Sequence, residues 1–163
     1  GCPMAGVDPA LVLCYRDEYK TVLPPEKQQF RVMLVHEFLT EYADLLPVKD
    51  ISEDTPPWYL FSHCTEATAL PDSVKIWQNL FRRFGATLQS VSTGCCGMAG
   101  TYGHEMPNLA RSKGIYQLSW AQPYQSLPSE RCLTTGYSCR SQVKRMEGKV
   151  MLHPLQALLT LVS

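Results

Sequence analysis

The sequence predicts an α/β protein, in which a small, mostly parallel sheet is flanked by helices and preceded by a helical N-terminal piece. From residue 58 onward, short apolar runs alternate with longer segments of helical periodicity, a pattern typical of strands joined by crossover helices. The first fifty residues carry helical patterns instead, and a polar, proline-containing linker over 48–57 divides the two parts. These observations predict a helical piece over 1–47 and an α/β domain over 58–163.

Helix signals dominate the N-terminal piece. Asp8 is a good helix cap ahead of Pro9, so a first helix is expected to run to about residue 22. A second, amphipathic helix is expected over 30–46, with His36 on its exposed face.

The α/β domain is expected to begin with a buried strand and an amphipathic helix. The strand covers 58–62, and the helix starts after Pro71-Asp72, buries Trp77 and Leu80, and is capped by Gly85. The remaining expected elements are a strand over 86–92, a helix from Pro107 to about residue 120, a loop over 122–129, a strand over 131–135, a helix over 137–146, a strand over 149–152 and a helix over 154–162.

The two parts share a weak internal sequence repeat. Cys14 lies in a polar helical segment ahead of Val-Met-Leu at 32–34, and Cys139 lies in another ahead of Val-Met-Leu at 150–152. The matching order of elements suggests that residues 1–47 are the tail of an earlier repeat.

Composition limits the classes of function. The chain is 45% hydrophobic and 18% charged, which suits one ordinary globular core, and 15 basic residues balance 15 acidic ones. A neutral chain has no basic field for nucleic acid, and no apolar run approaches the roughly 20 residues of a membrane span. Seven cysteines, an odd number in a chain that needs no disulfide staples, indicate a reducing compartment, and we expect a cytoplasmic location.

Four cysteines follow the predicted strands. Cys64 follows the first strand, Cys95 and Cys96 stand in a glycine-rich turn after the second, and Cys139 follows the third. Loops after parallel strands meet at one edge of the sheet, so the four thiols are expected to share a site. Such a set suits an iron–sulfur cluster or zinc, and N–H groups of 97–101 could donate to cluster sulfides. The alternative is that Cys64 and one of the adjacent pair Cys95 and Cys96 are buried as small apolar residues.

Several segments carry a family resemblance. They are His63-Cys64, Gly94-Cys95-Cys96-Gly97-Met98-Ala99-Gly100-Thr101-Tyr102, Gly136-Tyr137-Ser138-Cys139-Arg140 and His153-Pro154. Together they closely resemble the cysteine-rich CCG domain of iron–sulfur subunits such as those of heterodisulfide reductase and glycolate oxidase. Nearly the whole chain also resembles the C-terminal end of large bacterial FAD-linked oxidoreductases, which oxidise D-2-hydroxy acids, notably D-2-hydroxyglutarate.

The resemblance implies a cofactor, a ligand set and partners. Cys64, Cys95, Cys96 and Cys139 match the family's ligands for a 4Fe-4S cluster, and Cys14 would be the last ligand of a preceding CCG repeat. The family pattern ends in Cys-x-x-Cys, whereas here Cys139 stands alone, and Cys132 is expected at the opposite edge in a packing role. The implied partners are FAD and ferredoxin-like domains upstream in the same polypeptide, and an electron acceptor. The fragment itself would have no turnover.

Four further residues are expected beside the ligands. His63 could orient a thiolate or supply a nitrogen ligand, and His153 stands at the same predicted edge. Gly97 and Gly100 would let the backbone approach the cluster closely. Two rival functions use the same thiols: a structural zinc domain, and a thiol enzyme whose Cys64 or Cys96 is activated by His63 or by the helix start near Pro107.

Overall fold

A computed structural model describes residues 3–50 and 55–162. The predicted α/β class, with small parallel sheets flanked by helices, is confirmed. The strands are β1 (Met4–Gly6), β2 (Val32–Leu34), β3 (Trp58–Phe61), β4 (Leu88–Ser90) and β5 (Cys132–Thr134). The helices are α1 (Pro9–Arg16), α2 (Glu18–Val22), α3 (Val35–Glu41), α4 (Cys64–Ala69), α5 (Ser73–Arg83), α6 (Leu109–Ser119), α7 (Ala121–Gln125), α8 (Tyr137–Glu147) and α9 (Pro154–Val162).

The larger sheet has the order β4, β3, β5, with both neighbouring pairs parallel. Tyr59 lies opposite Gln89 on one side and Cys132 on the other, so β3 is central. The fourth strand predicted over 149–152 is reduced to a single parallel bridge between Leu133 and Leu152. All three strands therefore point their carboxyl ends at the same edge.

The N-terminal piece is not all helical, contrary to the prediction. β1 and β2 pair in parallel, with Met4 opposite Val32 and Gly6 opposite Leu34. The helix predicted over 30–46 begins only at Val35, because the Glu37 carboxylate accepts the N–H of Leu34 at 2.8 Å and caps α3 there. Three-residue strands are too short to show an alternation of apolar and polar residues.

Two other boundaries differ from the predictions. The first helix stops at Arg16 and resumes at Glu18, because the Asp17 backbone leaves helical geometry, with φ −111° and ψ −71°. The loop predicted over 122–129 starts with α7, in which Pro123 occupies the first turn. A proline is tolerated there because first-turn N–H groups have no partner within the helix.

The core consists of two packed groups on the larger sheet. One packs α5 and α9 on the sheet through Leu60, Trp77, Leu80, Phe81 and Leu158. The other lies under α6, α7 and α8 and includes Phe61, Met98, Tyr116, Trp120 and Cys139. Burial of each large side chain stabilises the fold by about 2 kcal/mol, so the thiol loops rest on a rigid base.

The expectation that His36 lies at the surface is wrong. His36 on α3 is 1% exposed, because α3 packs on α5 and brings the imidazole against the Trp77 ring, with 5.2 Å between centroids. Its Nδ1 lies 3.8 Å from Oε1 of buried Glu66 on α4. The N-terminal piece is thus packed on the larger sheet's helices.

Within the residues described, no helix is both long and apolar enough to cross a bilayer.

Candidate thiol site

Three loops at the carboxyl edge of the larger sheet carry the predicted cysteines. β3 leads through His63 into α4, which starts at Cys64; β4 leads to the turn with Cys95 and Cys96; and β5 leads through Gly136 into α8, where Cys139 is the third residue. Parallel pairing aligns these strand ends, so the loops emerge side by side.

The structure brings the four thiols together. The thiols lie close enough to affect one another's ionisation: Cys96 interacts with Cys139, Cys95 interacts with Cys64, and the charges of Cys64 and Cys95 also act on Cys139. Over 3–50 and 55–162, no three His, Cys, Asp or Glu side chains are placed so that they could hold one metal ion.

Three of the thiols differ in how readily they ionise. Interaction with the Cys139 thiol, aided by N–H groups of Met98 and Ala99, lowers the pKa of Cys96 to about 7 even though burial opposes ionisation. The same interaction, together with burial, raises the pKa of Cys139 well above its usual value. Burial also raises the pKa of Cys95. Cys96 is therefore the thiol that ionises most readily of these three.

The glycine-rich turn is shaped around the sulfurs. Gly97 has φ +85°, and a Cβ there would lie 2.3 Å from the carbonyl oxygen of Ser112. Its N–H donates to Sγ of Cys95 at 3.3 Å. The Trp120 indole donates to the Gly94 carbonyl at 2.9 Å, which ties the turn to the core. Gly100, with φ +64°, has open space where a Cβ would project.

The two predicted histidines differ in their relation to the thiols. His63 is 7% exposed and lines the same cavity as Cys64, Cys95 and Cys96; its Nδ1 is buried without a hydrogen-bond partner. Burial lowers the pKa of His63. His153 is buried against Trp77 and its Nδ1 accepts the N–H of Leu155 at 3.1 Å; it is not among the residues that line the cavity.

Cys64, Cys95 and Cys96 line a cavity of about 730 Å³ that both parts of the chain enclose, whereas Cys139 is buried and does not line it. The loop between β1 and α1 supplies one wall, with Gly6, Val7, Asp8, Ala10 and Leu11. The opposite wall carries the cysteine loops and Arg140 of α8. A site of this size can admit a group larger than a single metal ion.

Comparison with known proteins adds a functional context. The chain is similar over almost its whole length to D-2-hydroxyglutarate dehydrogenases. It is 58% identical over 163 residues to that enzyme from Escherichia coli, 49% over 169 residues to that from Haemophilus influenzae, and 44% over 163 residues to that from Pseudomonas putida. These alignments cover 98–100% of the chain but only 15–16% of each relative.

The chain thus spans a small part of these dehydrogenases, which are oxidoreductases by name. No protein-family profile matches the chain, and no solved structure matches it. The resemblance to the CCG domain therefore remains a prediction.

Of the cysteines in the described ranges, Cys14 and Cys132 lie apart from the other four. Cys14 is half-buried on α1 beside Glu18, and it does not line the cavity. Cys132 is buried in β5, where its thiol donates to the carbonyl of Pro128 at 3.4 Å and burial raises its pKa to about 12. The packing role expected for Cys132 agrees with this environment.

Two acidic residues near the thiols were not singled out from the sequence as site residues. Glu66 is 1% exposed and accepts hydrogen bonds from the hydroxyls of Ser73 and Thr135, while the Thr135 hydroxyl accepts the N–H of His63 at 3.0 Å. Burial raises the pKa of Glu66. The sequence places Glu66 in a helix's first turn, where an acidic residue is expected at the surface. The second residue is Asp8, whose carboxylate accepts the N–H of Tyr137, a residue 129 positions away in the sequence.

Proposed function

We propose that this chain is an iron–sulfur electron-transfer domain of a FAD-linked dehydrogenase that oxidises a D-2-hydroxy acid. Cys64, Cys95, Cys96 and Cys139 would hold a 4Fe-4S cluster. The observation that carries the proposal is that Cys64, Cys95 and Cys96 line one cavity and that buried Cys139, from a third loop, lies close enough to interact with all three.

The residues present fit a thiol-bound group. Four sulfurs form the donor set that iron–sulfur clusters prefer, and N–H groups of the turn already point at two of them. The buried, unpartnered Nδ1 of His63 is a polar atom that a bound group could satisfy. Because Gly97 has no room for a Cβ, the turn packs directly on the Ser112 backbone of α6 while the Gly97 N–H donates to the Cys95 sulfur.

The chain's own residues would hold the group and adjust its electrostatics. The cluster would supply one-electron transfer, for which the protein needs only a rigid, partly dehydrated pocket. N–H donation from Gly97, Met98 and Ala99 to thiolate sulfur stabilises negative charge, which favours the reduced state. The packed base under the turn limits rearrangement when charge changes.

The relatives support the wider context. Enzymes named D-2-hydroxyglutarate dehydrogenase contain a region similar to this chain, and the much longer remainder of each leaves room for other cofactor domains. We propose that a flavin and ferredoxin-like domains in a longer polypeptide supply the electrons, and that an acceptor receives them. The six cysteines within the described ranges are free thiols, which fits our proposal of a cytoplasmic location.

Anaerobic reconstitution tests the proposal. The chain is incubated with ferrous iron and sulfide under reductant, desalted, and analysed for iron, acid-labile sulfide and visible absorbance. We expect brown protein with iron and sulfide in equal amounts and absorbance that bleaches on reduction by dithionite. Colourless protein that instead retains one zinc ion per chain would replace this function with a structural zinc domain.

A thiol-based redox function is the second candidate, and the low pKa of Cys96 favours it. Cys96 would be the thiolate nucleophile, because interaction with the neighbouring Cys139 thiol favours its ionised form. The pH profile of alkylation at Cys96 tests this role in the metal-free chain. An inflection near pH 7 supports it, and one near the ordinary thiol range excludes it.

A further inference from the structure

We propose that Asp8 is a positioning residue of the thiol site, which ties the loop between β1 and α1 to the start of α8 and sets a fixed negative charge beside the sulfurs. The inference rests on the proposed function for its redox consequence, while its positioning consequence holds for the chain without a bound group.

The Asp8 carboxylate joins two helices that are distant in sequence. Its Oδ1 accepts the N–H of Leu11 at 3.2 Å and caps α1. Its Oδ2 accepts the N–H of Tyr137, the first residue of α8, at 2.8 Å. A local cap explains the first bond only, because the second reaches a residue 129 positions away.

The second bond acts where Cys139 is positioned. Tyr137 stands two residues before Cys139, and Gly136 before it is wedged in place: a Cβ there would lie 2.3 Å from Cδ2 of His63 and 3.1 Å from Sγ of Cys139. The start of α8 is thus held between His63 on one side and Asp8 on the other. Loss of the Asp8 bond would free this helix start and with it the Cys139 sulfur.

The charge of Asp8 also reaches the site. Asp8 lines the cavity together with Cys64, Cys95 and Cys96, and its charge acts on the buried groups of His63 and Glu66. Arg140 is a charge of opposite sign on the same cavity. A carboxylate in a partly dehydrated site opposes the arrival of an electron, so Asp8 lowers the reduction potential of a bound cluster.

The test compares Asp8 with Asp72, which precedes α5, is exposed, pairs with Lys75 at 3.2 Å and does not line the cavity. In the chain without metal, Cys139 is alkylated anaerobically with N-ethylmaleimide and quantified by peptide mass spectrometry. Asp8→Ala is expected to raise the labelling rate of Cys139 about fivefold, since a lost cap costs about 1 kcal/mol. Asp72→Ala is expected to leave it unchanged, and equal rates in the two variants would overturn the positioning role.

The redox consequence is measured on the reconstituted chain. Asp8→Asn keeps one acceptor oxygen, which can take the Tyr137 N–H in place of Oδ2 while the bond to the Leu11 N–H is lost; it is expected to fold and load the cluster, but it removes the charge. Its midpoint potential is expected to rise above those of the wild type and of Asp72→Asn. An unchanged potential would overturn the electrostatic role. A wild-type chain that takes up no iron would contradict the proposed function. The labelling test would still decide whether Asp8 positions Cys139.

Discussion

Gly97 and Gly100 lie three residues apart in the turn that carries the paired cysteines, and both have positive φ. They differ in the space around them. A Cβ on Gly97 would lie 2.3 Å from a backbone oxygen, whereas a Cβ on Gly100 would meet nothing within 4 Å. The two positions therefore separate the cost of a strained backbone from the cost of a close approach.

Replacement of Gly97 by alanine is expected to destabilise the chain far more than the same change at Gly100. Gly100→Ala should cost about 1 kcal/mol for its left-handed backbone, and Gly97→Ala should cost at least about 2 kcal/mol more because a backbone oxygen must move. Urea unfolding measures both values. Equal losses would show that the turn can relax around Gly97.

His153 is expected to make the chain sensitive to acid. Burial lowers its pKa to about 4, so the folded chain keeps it neutral while the unfolded chain protonates it near pH 6.5. Its contribution is complete above pH 6.5 and is lost as pH falls towards 4, by on the order of 2 kcal/mol. His153→Gln should therefore flatten the fall in unfolding free energy between pH 6.5 and 4.

His104 provides the control for this measurement, because it is an exposed histidine. His104→Gln should keep the wild-type slope. The raised pKa of Glu66 acts in the opposite direction, since that carboxyl stabilises the fold as pH falls, so the comparison rests on the difference between variant and wild type. If His153→Gln left the pH dependence of the unfolding free energy unchanged, His153 would not be the source of the acid sensitivity.

At the scale of elements, the sequence predicted long periodic segments well. The helix predicted after Pro71-Asp72 and the helix over 154–162 are found as α5 and α9, because a large apolar stripe and a proline at the first position leave few alternatives. β1 and β2 were missed because β2 lay inside the helix expected over 30–46 and β1 directly preceded the helix expected at Asp8. The side chain of Arg16, at the end of α1, bonds the Val32 carbonyl, a contact that no local pattern reveals.

Two glycines at helix positions are expected to respond to replacement by alanine with stability changes of opposite sign. Gly114 lies inside α6 and Gly148 follows α8 with φ +68°, and a Cβ on either would meet nothing within 4 Å. Gly114→Ala should stabilise the chain by about 0.5–1 kcal/mol through helix propensity, and Gly148→Ala should destabilise it by about 1 kcal/mol through its left-handed backbone. Thermal unfolding measures both shifts. If both variants shifted the unfolding temperature in the same direction, the two glycines would not differ in backbone conformation as described.

For the molecule as a whole, the thiol site could be anticipated only in outline. The order of strands and the rule that parallel strands share an edge placed four cysteines together, and in the structure these thiols act on one another's ionisation. The wall supplied by the loop between β1 and α1 could not be foreseen, because it depends on how the N-terminal piece packs against the larger sheet. The buried pair of His36 and Glu66 could not be foreseen for the same reason, because it also joins the N-terminal piece to the α/β part.

The most direct test of the central claim is the iron content of single Cys→Ser variants after anaerobic reconstitution. Cys64, Cys95, Cys96 and Cys139 are each expected to be needed, so each variant should lose most of its iron and visible absorbance, while Cys14→Ser and Cys132→Ser should match the wild type. Full loading of Cys64→Ser or Cys139→Ser, or loss of loading in Cys14→Ser, would contradict a group held by sulfurs from these three loops.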